Sequence, residues 1–569
     1  MRLKIIRVVI IFLFLILAMD LIYVQALKGN YFYRLSVNNR IRVIPLEPQR
    51  GRIFDRNGNV LAESRLSFDV TVIPQDVLDK DMLFTYLGQV LKIDKKEIAA
   101  RYQQRMYTPF APVVLIEDVD KQTAMVLEEN RFRFPGLYIQ ETFQRWYPSG
   151  KTAAHVVGYV SKIDSQKIKK LKNYGYSQQS IVGYSGVEEY YDQYLMGEEG
   201  GLQIEVNSRG QQVQLLGIRQ PEPGRDIHLT IDVRMQEISS KVMEDKAGSI
   251  VLMDLDSGEI LCLVSSPGYD PNVFTDLKRA KERNRLFIEP ASPVLNRVIK
   301  GQYPPGSVFK TVMSVAGLSE EKVNRNTTYH CPGFYKLGNR NFKCAHIHYS
   351  QNIIQALGHS CNVFYYNLGL VIGPELITRY AHKLGLGELT HIDLPSEERG
   401  FIPGPRNRRG EKTGWYKGDT LNFSIGQGEV LVTPIQVVRM MAAVAKGSIP
   451  QVHLLKMIEN EPLVTNSIIK VIGLRKDVMD TVHEGLRAAV VSSSGSARQM
   501  NMAGFEVYGK TGTAQTVKGK KTHAWFAGYN LQGSRRMAFC VFLEYGGSSY
   551  YAVQVTSDLF KALRKENLI

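Results

Sequence analysis

The hydrophobic pattern changes period along the chain, and its first block is the longest. Arg2, Lys4 and Arg7 precede an apolar run from Val8 to Met19 that resumes as Leu21 to Leu27. Ile5 to Leu27 is long enough to cross a bilayer as one helix. Basic residues crowded ahead of it favour a cytoplasmic N-terminus, which places everything after Lys28 outside the cytoplasm. A cleaved signal peptide is the rival reading, because Val24-Gln25-Ala26 resembles a small-residue cleavage site; the rest of the chain is exported either way. Asp20 would cost about 2.5–3.5 kcal/mol at the bilayer centre, so it belongs near the outer interface.

Beyond the span, Ile53 to Arg56 and Val60 to Ala62 bracket Asn57-Gly58, a strong short signal for a β-hairpin. A β-rich region therefore opens soon after the membrane. Val77 to Met106 follows a helical period, with charges on the opposite face. Breakers then gather in Gly217-Ile218-Arg219-Gln220-Pro221-Glu222-Pro223-Gly224, and strand-like Ile227 to Ile231 restarts behind them, which predicts a linker and a domain boundary there. Further on, strands such as Ser249 to Met253 and Ala538 to Leu543 mix with helices such as Val308 to Leu318. The expected class is α+β, divided into an anchor at 1–27, a β-rich domain at 28–224 and a second domain at 225–569. No internal repeat is visible.

A chain of 569 residues exceeds one hydrophobic core, and 44% hydrophobic with 22% charged residues is the composition of folded proteins, which excludes a mainly disordered chain. The formal charge of +16 suits nucleic acid, anionic lipid or an anionic polymer outside the cell. Export favours the last two, and no nucleic-acid partner is expected. Five cysteines cannot build a dense disulfide framework, and an odd number leaves at least one unpaired. Cys331 and Cys344 flank a loop followed by His346 and His348. A disulfide or two free thiols is predicted there. A Cys/Cys/His/His zinc site is the alternative, set aside because the spacing matches no standard finger.

Serine followed three residues later by lysine occurs at Ser307/Lys310, Ser319/Lys322 and Ser467/Lys470. Only the first has catalytic context. Tyr303-Pro304-Pro305-Gly306 holds a loop, and Val308 to Met313 begins an apolar helix, so Ser307 is predicted at a helix N-terminus with Lys310 one turn on. A lysine so placed can take the hydroxyl proton if its own pKa is lowered. Lys-Thr-Gly occurs twice. Lys412-Thr413-Gly414 lies among breakers and charges, whereas Lys510-Thr511-Gly512-Thr513 continues strand-like Phe505 to Tyr508, where a strand edge can bind extended substrate. Lys510 would offer a positive charge to a substrate carboxylate, and the backbone near Thr513 an amide to polarise a carbonyl.

Gly504 to Thr511 also fits the Walker A spacing, with Ile250 to Asp254 as a partner strand, which makes a nucleotide hydrolase the sharpest competitor. Bulky Phe505-Glu506-Val507-Tyr508 in place of a flexible cradle, no helical pattern after Thr511, and export all weigh against it. Gly358-His359-Ser360-Cys361-Asn362 starts like a hydrolase nucleophile elbow, but Asn362 replaces the closing glycine. Ser-x-Asn recurs at Ser36 and Ser350, so Ser360 matters only through the order in which it joins the other motifs.

Ser307-x-x-Lys310, then Ser360-Cys361-Asn362, then Lys510-Thr511-Gly512-Thr513 resembles the penicilloyl serine transferases, whose motifs run in this order. Arg50 to Gly58 and Gly183 to Glu188 look like pedestal motifs of the class B penicillin-binding proteins. Thr230-Ile231-Asp232, Tyr269 to Asn272, Ile425 to Gly428 and His523 to Phe526 are similar to stretches of their catalytic domain. Tyr159 to Lys162 and Leu295 to Arg297, with the Tyr303 to Gly306 loop, look most like the family's cell-elongation branch.

The resemblance implies an elongated pedestal carrying a transpeptidase domain with an antiparallel sheet flanked by helices, and no metal or cofactor. It implies Ser307 as nucleophile, Lys310 as its base, Ser360 and Asn362 as relay and substrate contact, Lys510 as carboxylate and relay partner, and Thr511, Gly512 and Thr513 as the substrate-binding stretch. Cys361 stands where the Ser-Asp-Asn form of the motif has aspartate. Implied partners are peptidoglycan stem peptides, the lipid-linked precursor, β-lactams as inhibitors and a membrane glycan polymerase, with the chain anchored in the inner membrane by one span. A DD-carboxypeptidase, a β-lactamase and an inactive wall scaffold are the rivals; no Glu-x-x-Leu-Asn segment supplies a class A deacylating base.

Overall fold

The computed structural model describes residues 2–32, 41–109, 112–171, 176, 180–206, 212–409, 414–462, 468–517, 519–533 and 535–569. Ser36, Lys412, Thr413 and Ser467, each part of a motif match named above, lie outside the described residues. The N-terminal apolar run is helical: Arg2–Ile22 is α-helix and Tyr23–Leu27 continues as π-helix. Leu3–Leu27 has a mean hydropathy of 2.9 and none of it is buried by the rest of the chain, as suits a helix solvated by lipid.

The chain divides into two compact units that interleave in sequence. The first comprises Met1–Gly51, Ser64–Gln144 and Met196–Gly224; the second comprises Arg52–Glu63, Arg145–Leu195 and Arg225–Ile569. Two stretches that the sequence assigns to the N-terminal domain, Arg52–Glu63 and Arg145–Leu195, therefore pack with the catalytic motifs.

In the first unit the helical run predicted over Val77 to Met106 is two helices, Lys80–Leu91 and Lys95–Arg105. Lys92 turns left-handed with φ 55°, and the Asp94 carboxylate caps the second helix by accepting from Lys96 N at 2.7 Å. Leu83, Leu87, Ile98 and Tyr102 on their inner faces share a core with Val70, Val72, Leu115 and Leu127. Ile41–Leu46, Gly200–Val206 and Gln212–Arg219 form a separate antiparallel sheet. The first three residues of the predicted linker are thus strand, because Gly217 to Arg219 pair with Gly201 to Gln203. A glycine is tolerated there because it carries no side chain that the sheet needs to pack.

The second unit opens with the predicted hairpin. Ile53 and Phe54 pair with Ala62 and Val60, Gly58 takes φ 85°, and the Asp55 carboxylate accepts from Asn57 N and Asn59 N at 2.8 Å each. The unit's centre is built from β1 (Gly248–Asp254), β2 (Ile260–Ser266), α1 (Lys310–Ser319), α2 (Asn362–Ile372), α3 (Pro434–Lys446), α4 (Lys476–Val491), β3 (Val507–Ala514), β4 (His523–Asn530), β5 (Met537–Leu543) and α5 (Ser549–Lys565). The sheet is antiparallel throughout, in the order β2-β1-β5-β4-β3, so β3 is an edge strand. Its strands read as near-continuous apolar runs because both faces are covered. Val251, Met253, Trp525, Tyr529 and Phe542 face a core shared with α1, α2 and α3. Ile250, Leu252, Phe526, Phe539 and Val541 face α5.

Candidate active site

Ser307 sits within a single 3₁₀ turn, Gly306–Phe309, that runs straight into α1. Helical structure begins one residue before the serine, slightly earlier than the sequence predicts. Gly306 has φ 54°, and a Cβ there would lie 2.6 Å from Thr513 O. A Cβ on Gly512 would lie 2.8 Å from Pro305 O. These two glycines, one in each motif, let the loop before α1 lie directly on β3, which brings Ser307 to the Lys-Thr-Gly strand. The Trp525 indole fixes the same loop by donating to Pro304 O at 3.0 Å.

Lys310 is fully buried, and its ammonium makes a three-way contact with the Ser360 turn. Nζ donates to Ser360 O at 2.7 Å, to Ser360 Oγ at 3.3 Å and to Asn362 Oδ1 at 2.6 Å. The first two motifs thus meet through one side chain. Burial lowers the Lys310 pKa to about 8, against the partial support of nearby thiols on Cys344, Cys361 and Cys331. The amine can therefore lose its proton near physiological pH, as a general base requires.

Ser360 lies between the helix Ile353–Gly358 and α2, in a left-handed conformation with φ 57°. That strained backbone aims its hydroxyl at Lys310. The Asn362 amide is oriented from both ends, its Nδ2 donating to Lys343 O at 3.1 Å. His359, immediately before the serine, joins Gln351 Oε1 at 2.7 Å and Ser494 Oγ at 2.8 Å.

Lys510 is also fully buried. Its Nζ donates to Thr511 O at 3.1 Å and to Thr511 Oγ1 at 3.4 Å. Burial, and then the charge of Lys310, push its pKa well down. The sequence casts Lys510 as a positive charge offered to a carboxylate; the buried amine fits the relay half of that expectation better, because the ammonium form is the one that burial penalises. Thr511 Oγ1 donates to Ser496 Oγ at 2.9 Å, a residue that sequence reasoning missed. Its one trace in the sequence is the serine-rich stretch Ser492-Ser493-Ser494-Gly495-Ser496. Thr513 is the exposed member of the motif, and its hydroxyl accepts from Ser549 N at the start of α5, at 3.3 Å. Lys510 and Thr511 pair with Ala527 and Phe526 in the middle of an antiparallel strand, so the Walker A match has neither the loop nor the following helix that a phosphate cradle needs.

The cysteine expectation holds in its free-thiol form, and it is the ligand set of the alternative metal site that changes. Among the described residues all five cysteines are free, so Cys331 and Cys344 form no disulfide. The ligand atoms of Cys331, Cys344, His348 and Cys361 lie within 4.8 Å of one another. Cys361, the middle residue of Ser-x-Asn, takes the place that the sequence gave to His346. The His348 Nδ1 is 3.6 Å from Cys331 Sγ and 3.5 Å from Cys344 Sγ, and Cys344 Sγ accepts from Asn362 N at 3.2 Å. A hydrogen bond from Cys361 holds the Cys344 thiol far below its usual range, and the same bond pushes Cys361 up. Three sulfurs and one imidazole are the donor set of a closed structural zinc site, whose ligand atoms sit about 3.8 Å apart for Zn–S near 2.3 Å. These four residues could hold zinc after a contraction of about an ångström. Bound there, the metal would fix the Ser360 turn and leave no open position for substrate.

Comparison with known proteins agrees with this geometry. Residues 248–565 match the penicillin-binding protein transpeptidase domain, and residues 45–229 match the penicillin-binding protein dimerisation domain. The peptidoglycan D,D-transpeptidase MrdA of Escherichia coli K12 is 30% identical, over 94% of this chain and 89% of its own length. Among solved structures, penicillin-binding protein 2 of Helicobacter pylori in its complex with MreC has a TM-score of 0.82 at 26% identity, covering 93% of this chain and 99% of that one. A chain from a peptidoglycan synthase complex that coordinates polymerisation and crosslinking has a TM-score of 0.74 at 28% identity, covering 99% and 98%. The chain belongs to the penicillin-binding protein transpeptidases of class B, and within them to the branch of penicillin-binding protein 2.

Proposed function

We propose that this chain cross-links peptidoglycan as a D,D-transpeptidase by way of an acyl-enzyme on Ser307. The Ser307 hydroxyl attacks the carbonyl between the two terminal D-alanines of a stem peptide, and Lys310, in its neutral form, takes the proton. The carbonyl oxygen becomes an oxyanion held by backbone N–H groups at Ser307 and Thr513. Collapse breaks the C–N bond, and the departing D-alanine amine receives a proton through Ser360 and Lys510. An amine on a neighbouring stem then attacks the ester, its proton returns to the serine oxygen, and the cross-link is complete. Asn362 and the Thr511 to Thr513 stretch hold the donor peptide.

The observation that carries this reading is the contact of Lys310 Nζ with both Ser360 and Asn362, within 2.6–3.3 Å. It joins a base of lowered pKa to a hydroxyl that can pass on a proton and to an amide that can hold the donor peptide. The N-terminal helix supports a single-pass inner-membrane anchor with the catalytic unit outside. The relatives named above support a place in cell elongation, beside MreC and a glycan polymerase, with β-lactams as inhibitors. Fluorescent penicillin tests the assignment: Ser307→Ala abolishes covalent labelling, whereas Ser319→Ala leaves it. Labelling that survives the first change would sink the nucleophile.

A further inference from the structure

The stretch Ser492-Ser493-Ser494-Gly495-Ser496, between α4 and β3, belongs to none of the three motifs, yet it touches two of them. Ser494 Oγ lies 2.8 Å from His359 Nε2, and Ser496 Oγ accepts from the Thr511 hydroxyl at 2.9 Å. His359 immediately precedes Ser360, and Thr511 immediately follows Lys510. One loop thus grips the chain neighbours of both groups that pass a proton to the leaving amine in the reaction proposed above.

Each contact has one hydrogen-bond sense. Gln351 is buried, and its Nε2 donates to His348 O at 2.8 Å and to Ser350 O at 3.0 Å, which leaves its Oε1 to accept from His359 Nδ1 at 2.7 Å. With its hydrogen on Nδ1, the neutral ring presents a lone pair at Nε2, so the Ser494 hydroxyl is the donor there. The Ser494 oxygen in turn accepts from the Ser492 hydroxyl at 3.3 Å. On β3, Thr511 spends its hydrogen on Ser496, so a lone pair of its Oγ1 faces Lys510 Nζ at 3.4 Å.

The loop stands on a firm footing. Gly495 lies so close to α4 that a Cβ there would be 2.5 Å from Ala489 O, and Ala497 N donates to the same oxygen at 2.8 Å. The helix Ile353–Gly358, which ends at His359, packs on the same stretch of α4: a Cβ on Gly358 would lie 3.1 Å from Ala488 Cβ. Between loop and turn, Ser496 N reaches Gly358 O only at 3.5 Å, so the bond from Ser494 to His359 is the shorter tie. Ser360 needs such a tie, because its left-handed φ of 57° would relax towards the common regions if the residue before it were free.

We propose that the Ser494–His359 bond is a positioning clamp for the reaction, holding the Ser360 hydroxyl at the separation from Lys510 that proton transfer to the leaving group requires. The clamp rests on the transpeptidase reading above. Ser494 is exposed, so removing its hydroxyl leaves the core intact. Stopped-flow acylation of the full-length chain in detergent, followed over a range of fluorescent penicillin concentrations, separates binding from the chemical step. Ser494→Ala is expected to slow the chemical step about tenfold while the apparent dissociation constant stays within about twofold and the melting temperature is unchanged. Ser494→Thr, which keeps the hydroxyl, should restore the rate to within about twofold of the unmodified chain. Added to Ser360→Ala, Ser494→Ala should slow the chemical step by less than about twofold more, because the group it positions is gone. An unchanged chemical step in Ser494→Ala, a loss confined to binding, no rescue by threonine, or the full loss retained without the Ser360 hydroxyl overturns the clamp. An unmodified chain that forms no adduct on Ser307 defeats the acylation reading itself, and the clamp with it.

Discussion

Two fully buried lysines lie close enough that the charge of Lys310 weakens the hold of Lys510 on its proton. Burial brings the Lys310 pKa down to about 8, against the raising effect of the thiols on Cys344, Cys361 and Cys331, whereas burial and the Lys310 charge push Lys510 well below the ordinary lysine range. In the proposed mechanism the neutral amine accepts the Ser307 proton, so raising the pH switches the base on. Penicillin acylation is therefore expected to climb from pH 7 to 9 with a midpoint near that value, measured by stopped-flow. Lys310→Ala should cut the rate by about 10²–10⁴-fold and flatten the profile. A rate that ignores pH in the unmodified chain would move the base elsewhere. At this scale Ser307, Lys310, Ser360, Asn362 and Lys510 stood out by motif order and local context, since the decoys lacked either a helix start or a strand. Ser496 was illegible for a physical reason: it lies in the loop after α4, and its role exists only once folding sets it against Thr511 on β3.

Among the elements, the turn between Gly358 and Asn362 is the one most in need of support. Ser360 holds a left-handed conformation that a non-glycine residue adopts at a cost of about 1–3 kcal/mol, so its surroundings must enforce it. Cys361 supplies the means, because it ties the turn to Cys331, Cys344 and His348. Purified from metal-replete medium, the chain should carry one zinc by elemental analysis. Cys344→Ser should lose the metal, lower the melting temperature and slow acylation together, since metal binding and local folding are one equilibrium. A metal-free chain with full activity would refute this. The spacing concealed the cluster because its ligands come from four separate places: the end of Tyr329–Cys331, the loop after Arg340–Lys343, the approach to Tyr349–Gln351, and the cap of α2. The strands of the central sheet were easier to read. Met537–Leu543 is apolar at every position, a pattern that a strand buried on both faces leaves in the sequence.

For the molecule as a whole, hydropathy alone made the apolar N-terminal helix legible. The full chain should sediment with membranes and resist alkaline extraction, while deletion of residues 2–27 should release penicillin-binding protein into the soluble fraction; a released full-length chain would argue for cleavage of the segment. What a linear reading missed is the order in which chain segments are used. Composition locates a boundary at residue 224, yet packing assigns Arg52–Glu63 and Arg145–Leu195 to the catalytic unit, because contacts far apart in sequence leave no local trace. Those contacts are specific. Tyr191 OH donates to the buried Asp393 carboxylate at 2.8 Å, Tyr147 N donates to Asn272 Oδ1 at 3.0 Å, and Ile53, Leu61, Val156 and Val187 complete the same core as α1 and α3. The block that carries Ser307 is therefore not self-contained. A chimera joined at residue 224 would set a foreign catalytic segment against resident partners at 145–195, so hybrids that fold should inherit the two stretches as a pair, and those that exchange residues 225–569 alone should melt at a lower temperature.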